Sequence, residues 1–141
     1  MDPALWAQLH GAIVHFPVAL TFFAAACDAA AFACWARPIS AHLRASAGYA
    51  IVCGTLGSLP AVVSGLFLTH GELMGAGDLR RHHLFGWPAF ALLVALATWR
   101  LVRRETPTRR AHGIFLLLLG VLSGLMAATG HWGGQLALAY P

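Results

Sequence analysis

The chain has 141 residues, of which 59% are hydrophobic and only 10% charged, whereas a water-facing globule ordinarily carries about a quarter charged residues. Its nine basic side chains are all arginines and flank apolar stretches instead of forming a face, despite a net charge of +4. A nucleic-acid binder, a soluble enzyme, a disulfide-stapled module and a disordered chain are therefore excluded, which leaves a single membrane-embedded bundle in contact with the lipid bilayer.

The first apolar stretch predicts a helix over 6–35, with Asp28 as its only charge. It lacks the basic start and small-residue cleavage site of a signal peptide, so it is expected to be retained. Pro17 removes an amide donor to the Ile13 carbonyl and bends the helix within one turn of His15. The second stretch predicts a helix over 45–70 without a charge, with Pro60 freeing the Leu56 carbonyl. The third, over 83–103, is apolar only to about Arg100, whose side chain is expected to snorkel outward and lengthen it; Pro88 falls in its first turn. The fourth runs over 111–132 and is expected to break at Gly133-Gly134, with an uncharged tail to Pro141. Each stretch can cross a hydrocarbon core of about 20 helical residues, and backbone in lipid must satisfy itself internally. The fold class is therefore all-α, an integral membrane four-helix up-and-down bundle forming one domain over 1–141, because connections at 37–44, 71–81 and 101–110 force neighbours to run antiparallel.

Arginine placement sets an expected orientation. Arg37, Arg44, Arg100, Arg103, Arg104, Arg109 and Arg110 gather at one surface, against Arg80 and Arg81 at the other. The positive-inside tendency makes the first surface cytoplasmic and puts both termini outside. Trp6, Trp35, Trp87, Trp99 and Trp132 fall near span ends, as an interfacial belt requires. Cys27, Cys34 and Cys53 lie inside spans with no CxxCH pattern, which excludes covalent c-type haem and reads as small apolar packing.

Eight histidines carry the remaining information. His10, His15, His70, His82, His83 and His131 lie toward the expected outer surface, and each helix contributes at least one. Helical phase singles out some of them. Gly113, Gly120, Gly124 and Ala127 share a face with His131; Gly11, Ala12, Ala19 and Ala26 share one with His15; Gly86 and Ala89 share one with His82. The second helix has a similar face, Gly54, Gly57, Ala61, Ser64 and Gly65, with no histidine in phase, where close helix packing suffices. Small stripes that carry histidines are expected to face inward and leave room for a flat macrocycle. The leading ligand is one or two haem b groups held by two imidazoles drawn from His15, His131 and His82 or His83, with His10 and His70 as further candidates. Phe16, Phe85, Trp87 and Trp132 would supply walls, and Arg80 and Arg81 would pair with propionates. The alternative is a Cu or Zn ion on His15, His83 and His131; failing both, the histidines bond across helices and bind nothing. Asp28 is expected to meet Arg37, Arg44, His42 or His112 and fix the helix ends, or to act as a proton-relay carboxylate.

The segments Leu9-His10-Gly11-Ala12-Ile13-Val14-His15-Phe16-Pro17 and Gly130-His131-Trp132-Gly133-Gly134-Gln135, with Asp28 between them and a histidine opening the third span, resemble one bacterial four-helix inner-membrane family, long catalogued as a domain of unknown function. That family often has His-Pro where this chain has His10-Gly11. The resemblance implies four helices and an inner-membrane location, and distant similarity to di-haem transmembrane cytochromes b implies haem.

The expected function is a membrane b-type cytochrome or haem-binding electron-transfer subunit, more a binding subunit than an enzyme. Its electrons would come from a periplasmic or membrane redox partner, or from quinone. The alternatives are a Cu- or Zn-handling or small-molecule transport protein, or a structural subunit. So small a chain is expected to form a homodimer or join a larger complex.

Overall fold

In hydrocarbon an unpaired amide has no water to turn to, and the chain responds with helices alone. The computed structural model describes residues 3–103 and 108–139 and contains four helices, α1 (Pro3–Ala33), α2 (Ile39–Leu68), α3 (Gly77–Val102) and α4 (Arg109–Ala139). All four are long and apolar enough to cross a membrane. Arg104 and Pro141 lie outside the described residues. The helices form an antiparallel ring. α1 packs most extensively on α2 and α3 on α4, so two hairpins face each other, while α1–α4 and α2–α3 contacts close the ring.

Several helix ends differ from the sequence reading, each for a local reason. α2 begins at Ile39 and not near residue 45. Its first turn is held when the Ser40 hydroxyl donates to the Ala31 carbonyl (2.9 Å) and Arg44 donates to Ser40 Oγ (2.5 Å). At the far end α2 stops after Leu68, with His70 and Gly71 in left-handed backbone (φ 53° and 83°) that no helix can continue. α3 starts at Gly77, where Asp78 sits in the first turn and favours the positive end of the helix dipole. The earlier start places Pro88 well inside the helix and not in its first turn. α4 passes through Gly133-Gly134 to Ala139 with no break. Glycine costs a helix about 1 kcal/mol relative to alanine, too little to end one flanked by apolar neighbours. Pro17 and Pro60 are interior, as expected. Beside Pro17, Thr21 Oγ donates back to the Pro17 carbonyl (2.8 Å).

The core occupies the middle of the bundle and its arginine-rich end. Ile51, Leu93, Leu96, Leu119 and Leu122 are fully buried there, with Ala24, Ala47 and Ala89 between them. The small face of α2 does lie inward. A Cβ at Gly54 would stand 3.4 Å from Leu20 Cβ and 3.7 Å from the Pro17 carbonyl, and one at Gly57 would run into the Phe16 ring. The small faces of α1 and α4 do not. Ala12, His15, Ala19 and Ala26 are exposed, as are Gly120, Gly124, Ala127 and His131. A Cβ at Gly120 or Gly124 would meet nothing within 4 Å. The inward face of α4 is instead built from large residues, namely His112, Phe115, Leu119, Leu122 and Met126. The physical reason is that lipid tails are as apolar as leucine, so a small face gains nothing by turning inward unless a neighbouring helix packs closely on it.

The two kinds of glycine should separate by experiment. Gly57→Leu is expected to destabilise the chain in detergent by about 1–3 kcal/mol through overpacking, whereas Gly124→Leu should stay within about 0.5 kcal/mol. Unfolding curves of both variants against the parent chain measure this.

Candidate functional site

At the end of the bundle that carries the chain termini, His10 from α1 and His82 from α3 face each other, with ring centroids 6.4 Å apart and planes inclined at 72°. Each ring leans on the partner helix of its own hairpin. His10 Nδ1 lies 3.0 Å from the Ala61 carbonyl and 3.1 Å from Ser64 Oγ on α2. Ser64 Oγ itself donates to that same carbonyl (2.9 Å). His82 Nδ1 lies 2.9 Å from the Thr129 carbonyl on α4. A carbonyl only accepts, so Nδ1 carries the proton on both rings and each Nε2 is left with a free lone pair. Glycines make room for the rings: a Cβ at Gly65 would stand 3.1 Å from His10 Cε1, and one at Gly133 would stand 3.2 Å from His82 Nδ1. His83 adds a third imidazole, 5.7 Å from His82 and 6.3 Å from the Trp87 ring. Its Nδ1 is buried without a partner. Among the described residues no fully buried side chain lies beyond Ser64 and Met126 toward this end, so the histidines lie at the more exposed end of the bundle.

The other sequence candidates fall elsewhere. His15 is exposed, and its Nδ1 bonds the Gly11 carbonyl of its own helix (2.5 Å). It lies five residues from His10, roughly 140° around the helix at 3.6 residues per turn. His131 is exposed, its ring set against Trp132 (5.0 Å). His70 is exposed at the end of α2. Neither His15 nor His131 thus faces a space between helices. Among the described residues no group of three or more His, Cys, Asp or Glu is arranged to hold a metal ion. Of the expected wall residues, Phe16 is exposed, Phe85 half-buried, and Trp87 donates its indole N–H to the Leu73 carbonyl (2.7 Å). Arg81 pairs with Asp78 (3.0 Å) and lies over the Trp132 ring (4.5 Å).

A second polar cluster lies near the arginine-rich end. Asp28 is completely buried. One of its oxygens accepts from Arg100 Nη2 on α3, and the other from His112 Nε2 on α4 at 3.0 Å. Arg100 therefore turns inward instead of snorkelling, and of the four expected partners of Asp28 only His112 is used. Arg44 is engaged with Ser40 and the Trp35 ring, while Arg37 and His42 are exposed. Phe115 supports the Arg100 guanidinium from below (4.1 Å). The signal for Arg100 was present in the sequence, since an arginine near the end of an apolar helix can pair inward as readily as reach outward, but only the helix phases choose. Of the cysteines, Cys27 is buried, Cys34 half-buried and Cys53 exposed, all three as free thiols.

Over residues 7–141 the chain matches the family described as "Predicted membrane protein (DUF2231)", and it belongs to that family. A UPF0382 membrane protein of Staphylococcus aureus (strain USA300) is 29% identical over 89 residues, which cover 63% of this chain and 58% of that protein. Its counterparts in strains NCTC 8325 / PS 47 and COL match to the same extent. The chain thus spans 58% of the length of the curated relatives it matches. No solved structure matches.

Removing Asp28 would strand a buried guanidinium. Asp28→Ala is expected to destabilise the chain toward the lower end of the roughly 3–5 kcal/mol seen when one partner of a buried pair is lost, because Arg100 retains some exposure. The double replacement Asp28→Leu with Arg100→Leu should recover only part of that loss, because the buried His112 Nε2–H stays without its acceptor. Unfolding midpoints of the three chains decide it.

Proposed function

We propose that this chain is a membrane-embedded electron-transfer subunit in which His10 and His82 would hold a b-type haem between the hairpins α1–α2 and α3–α4. The observation that carries this reading is the matched pair of Nδ1 bonds to backbone carbonyls. That bond fixes the tautomer, orients the ring and raises the basicity of Nε2, and it recurs on histidines that bind metals. The two rings lie near each other across the bundle, with centroids 6.4 Å apart, so both could reach one ligand.

The donor set favours haem over a bare ion. Cu or Zn held by protein alone calls for three or four side-chain ligands, and the described residues bring no such group together. A macrocycle supplies four nitrogens of its own and needs only two more. His83, whose buried Nδ1 has no partner, lies beside His82 on α3 but lacks the carbonyl bond that orients His82. When bound, haem supplies a one-electron change at iron. The chain's own residues do the rest. Ala61 and Thr129 hold the imidazoles, Gly65 and Gly133 give them space, and the apolar helix faces keep water from the centre. His15 and His131, facing outward, stand outside this ligand set.

The arginine-rich end is then cytoplasmic by the positive-inside tendency, which puts His10, His82 and both termini on the periplasmic side. Electrons would come from a periplasmic or membrane redox partner, or from quinone, at that level. The outward Gly120–Gly124 face of α4 suits close approach of another helix, from a second copy or a larger complex.

The full chain, purified from haem-replete cells, should give a b-type α-band in reduced-minus-oxidised spectra and a stoichiometric pyridine haemochrome. His10→Ala and His82→Ala should each abolish it, whereas His15→Ala and His131→Ala should keep it. A colourless parent chain, or full haem content in both His10→Ala and His82→Ala, overturns the proposal.

A further inference from the structure

The cluster at the arginine-rich end contains one feature that an ion pair does not explain. Asp28 and Arg100 already balance each other's charge. His112 nevertheless donates Nε2–H to the second carboxylate oxygen at 3.0 Å, and its Nδ1 is buried with no partner. The residue is 2% exposed. A buried nitrogen without a bond keeps the full penalty of leaving water, and a hydrophobic residue would have filled the position without it. A carboxylate that orients an imidazole through one nitrogen and leaves the other free is the arrangement of a proton acceptor.

We propose that His112 is a proton-binding site within the membrane span, with Nδ1 taking up a proton from the arginine-rich side while the Asp28 carboxylate stabilises the resulting imidazolium. This assignment is independent of the haem reading, since it uses none of the same residues. In the step, a proton from water bonds to the Nδ1 lone pair, and no other bond to His112 breaks. The Asp28–Arg100–His112 set passes from zero net charge to +1. His112 lies one turn inside the start of α4 at Arg109, so the proton crosses only about 5 Å of helix from the loops. The charges around the ring come from every helix: Asp28 on α1, Arg44 on α2, Arg100 on α3, and Arg109 and Arg110 on its own helix. Burial of the ring opposes the imidazolium most, the arginines oppose it too, and Asp28 alone favours it through its charge and its hydrogen bond. Phe32 (5.7 Å) and Trp35 (5.5 Å) pack on the imidazole and separate it from lipid.

The test is magic-angle spinning NMR of the full chain in liposomes with 15N-labelled histidine, with His112 assigned through its backbone links to Ala111 and Gly113. At high pH the spectrum should show a protonated Nε2 and an unprotonated Nδ1. As the pH falls from 9 to 4, the Nδ1 signal should move to the position of a protonated ring nitrogen. Asp28→Asn should lower the proton affinity at least tenfold, and Arg100→Gln should raise it at least tenfold. If either variant fails to fold, the parent titration still decides. An Nδ1 that stays in one protonation state over the whole range overturns the proposal, as does a midpoint unmoved in two folded variants.

Discussion

A carboxylate shut away from water inside an apolar bundle must have both oxygens matched by the protein, and Asp28 meets that demand with one donor from α3 and one from α4. The pairing constrains more than its own neighbourhood, because helices are rigid over many turns. His10 precedes Asp28, and His82 precedes Arg100, by eighteen residues each. Eighteen residues make five full turns at 3.6 residues per turn, roughly 27 Å of rise. Turning Asp28 toward Arg100 at one end therefore turns His10 toward His82 at the other. Along the way the same phase buries Pro17, Thr21 and Ala24 on α1, and Ala89, Leu93 and Leu96 on α3. The ion pair thus sets the rotation of two rods, and the histidine pair inherits it.

The other two helices are placed differently. α2 has no charge to pair within its apolar length, and it is located by fit. A Cβ at Gly54, Gly57 or Gly65 would stand against Leu20, Phe16 or His10 of α1, so these glycines leave the room that those side chains occupy. α4 contributes His112 to the charged cluster and otherwise presents large apolar side chains to the core. It also accepts His82 at the Thr129 carbonyl. Each histidine of the facing pair is therefore braced by the partner helix of its own hairpin, and the two hairpins meet ring to ring.

The helix number, the antiparallel order and the all-α membrane class were legible from composition and span length, because lipid admits few alternatives. Which face of each helix turns inward was less so. The rule that small residues line the interior held on α2 and around His82, where Gly86 and Ala89 face inward. It failed on α4, where Gly120 and Gly124 face out while Phe115, Leu119 and Leu122 face in. On α1 the buried face is small as well, with Thr21, Ala24, Cys27 and Ala31, but it is not the Ala19–Ala26 face that carries His15. In water a large apolar residue must go inside. In lipid that pressure vanishes, so small residues on both sides of a helix leave its phase open. Polar groups keep reporting, because hydrocarbon offers them nothing. Thr21, Asp28, Ser40, Ser58, Ser64 and His112 are all buried, and tracing phase from Asp28 instead of from the glycines leads to His10 and not to His15. The ends of α2, α3 and α4 escaped for a simpler reason. Polar first turns and tolerated glycines extend helices past the apolar stretch that defines a span.

The two polar clusters differ in what they leave open, and the difference bears on how one small chain can hold two sites. At the terminal end both Nδ1 atoms are bonded and both Nε2 lone pairs are free, a state suited to a metal that brings its own equatorial ligands. At the arginine end the tautomer is reversed: Nε2 of His112 is bonded and Nδ1 is free, with a compensated ion pair alongside, a state suited to a proton. α1 and α3 each carry one member of both clusters on a single face. A rotation of either rod that improved one pairing would misalign the other, so the phase relation between Asp28 and His10, and between Arg100 and His82, is under pressure from both ends. Such a doubly pinned rod resists rotation more than an apolar helix of equal length, whose contacts with lipid are the same on every side.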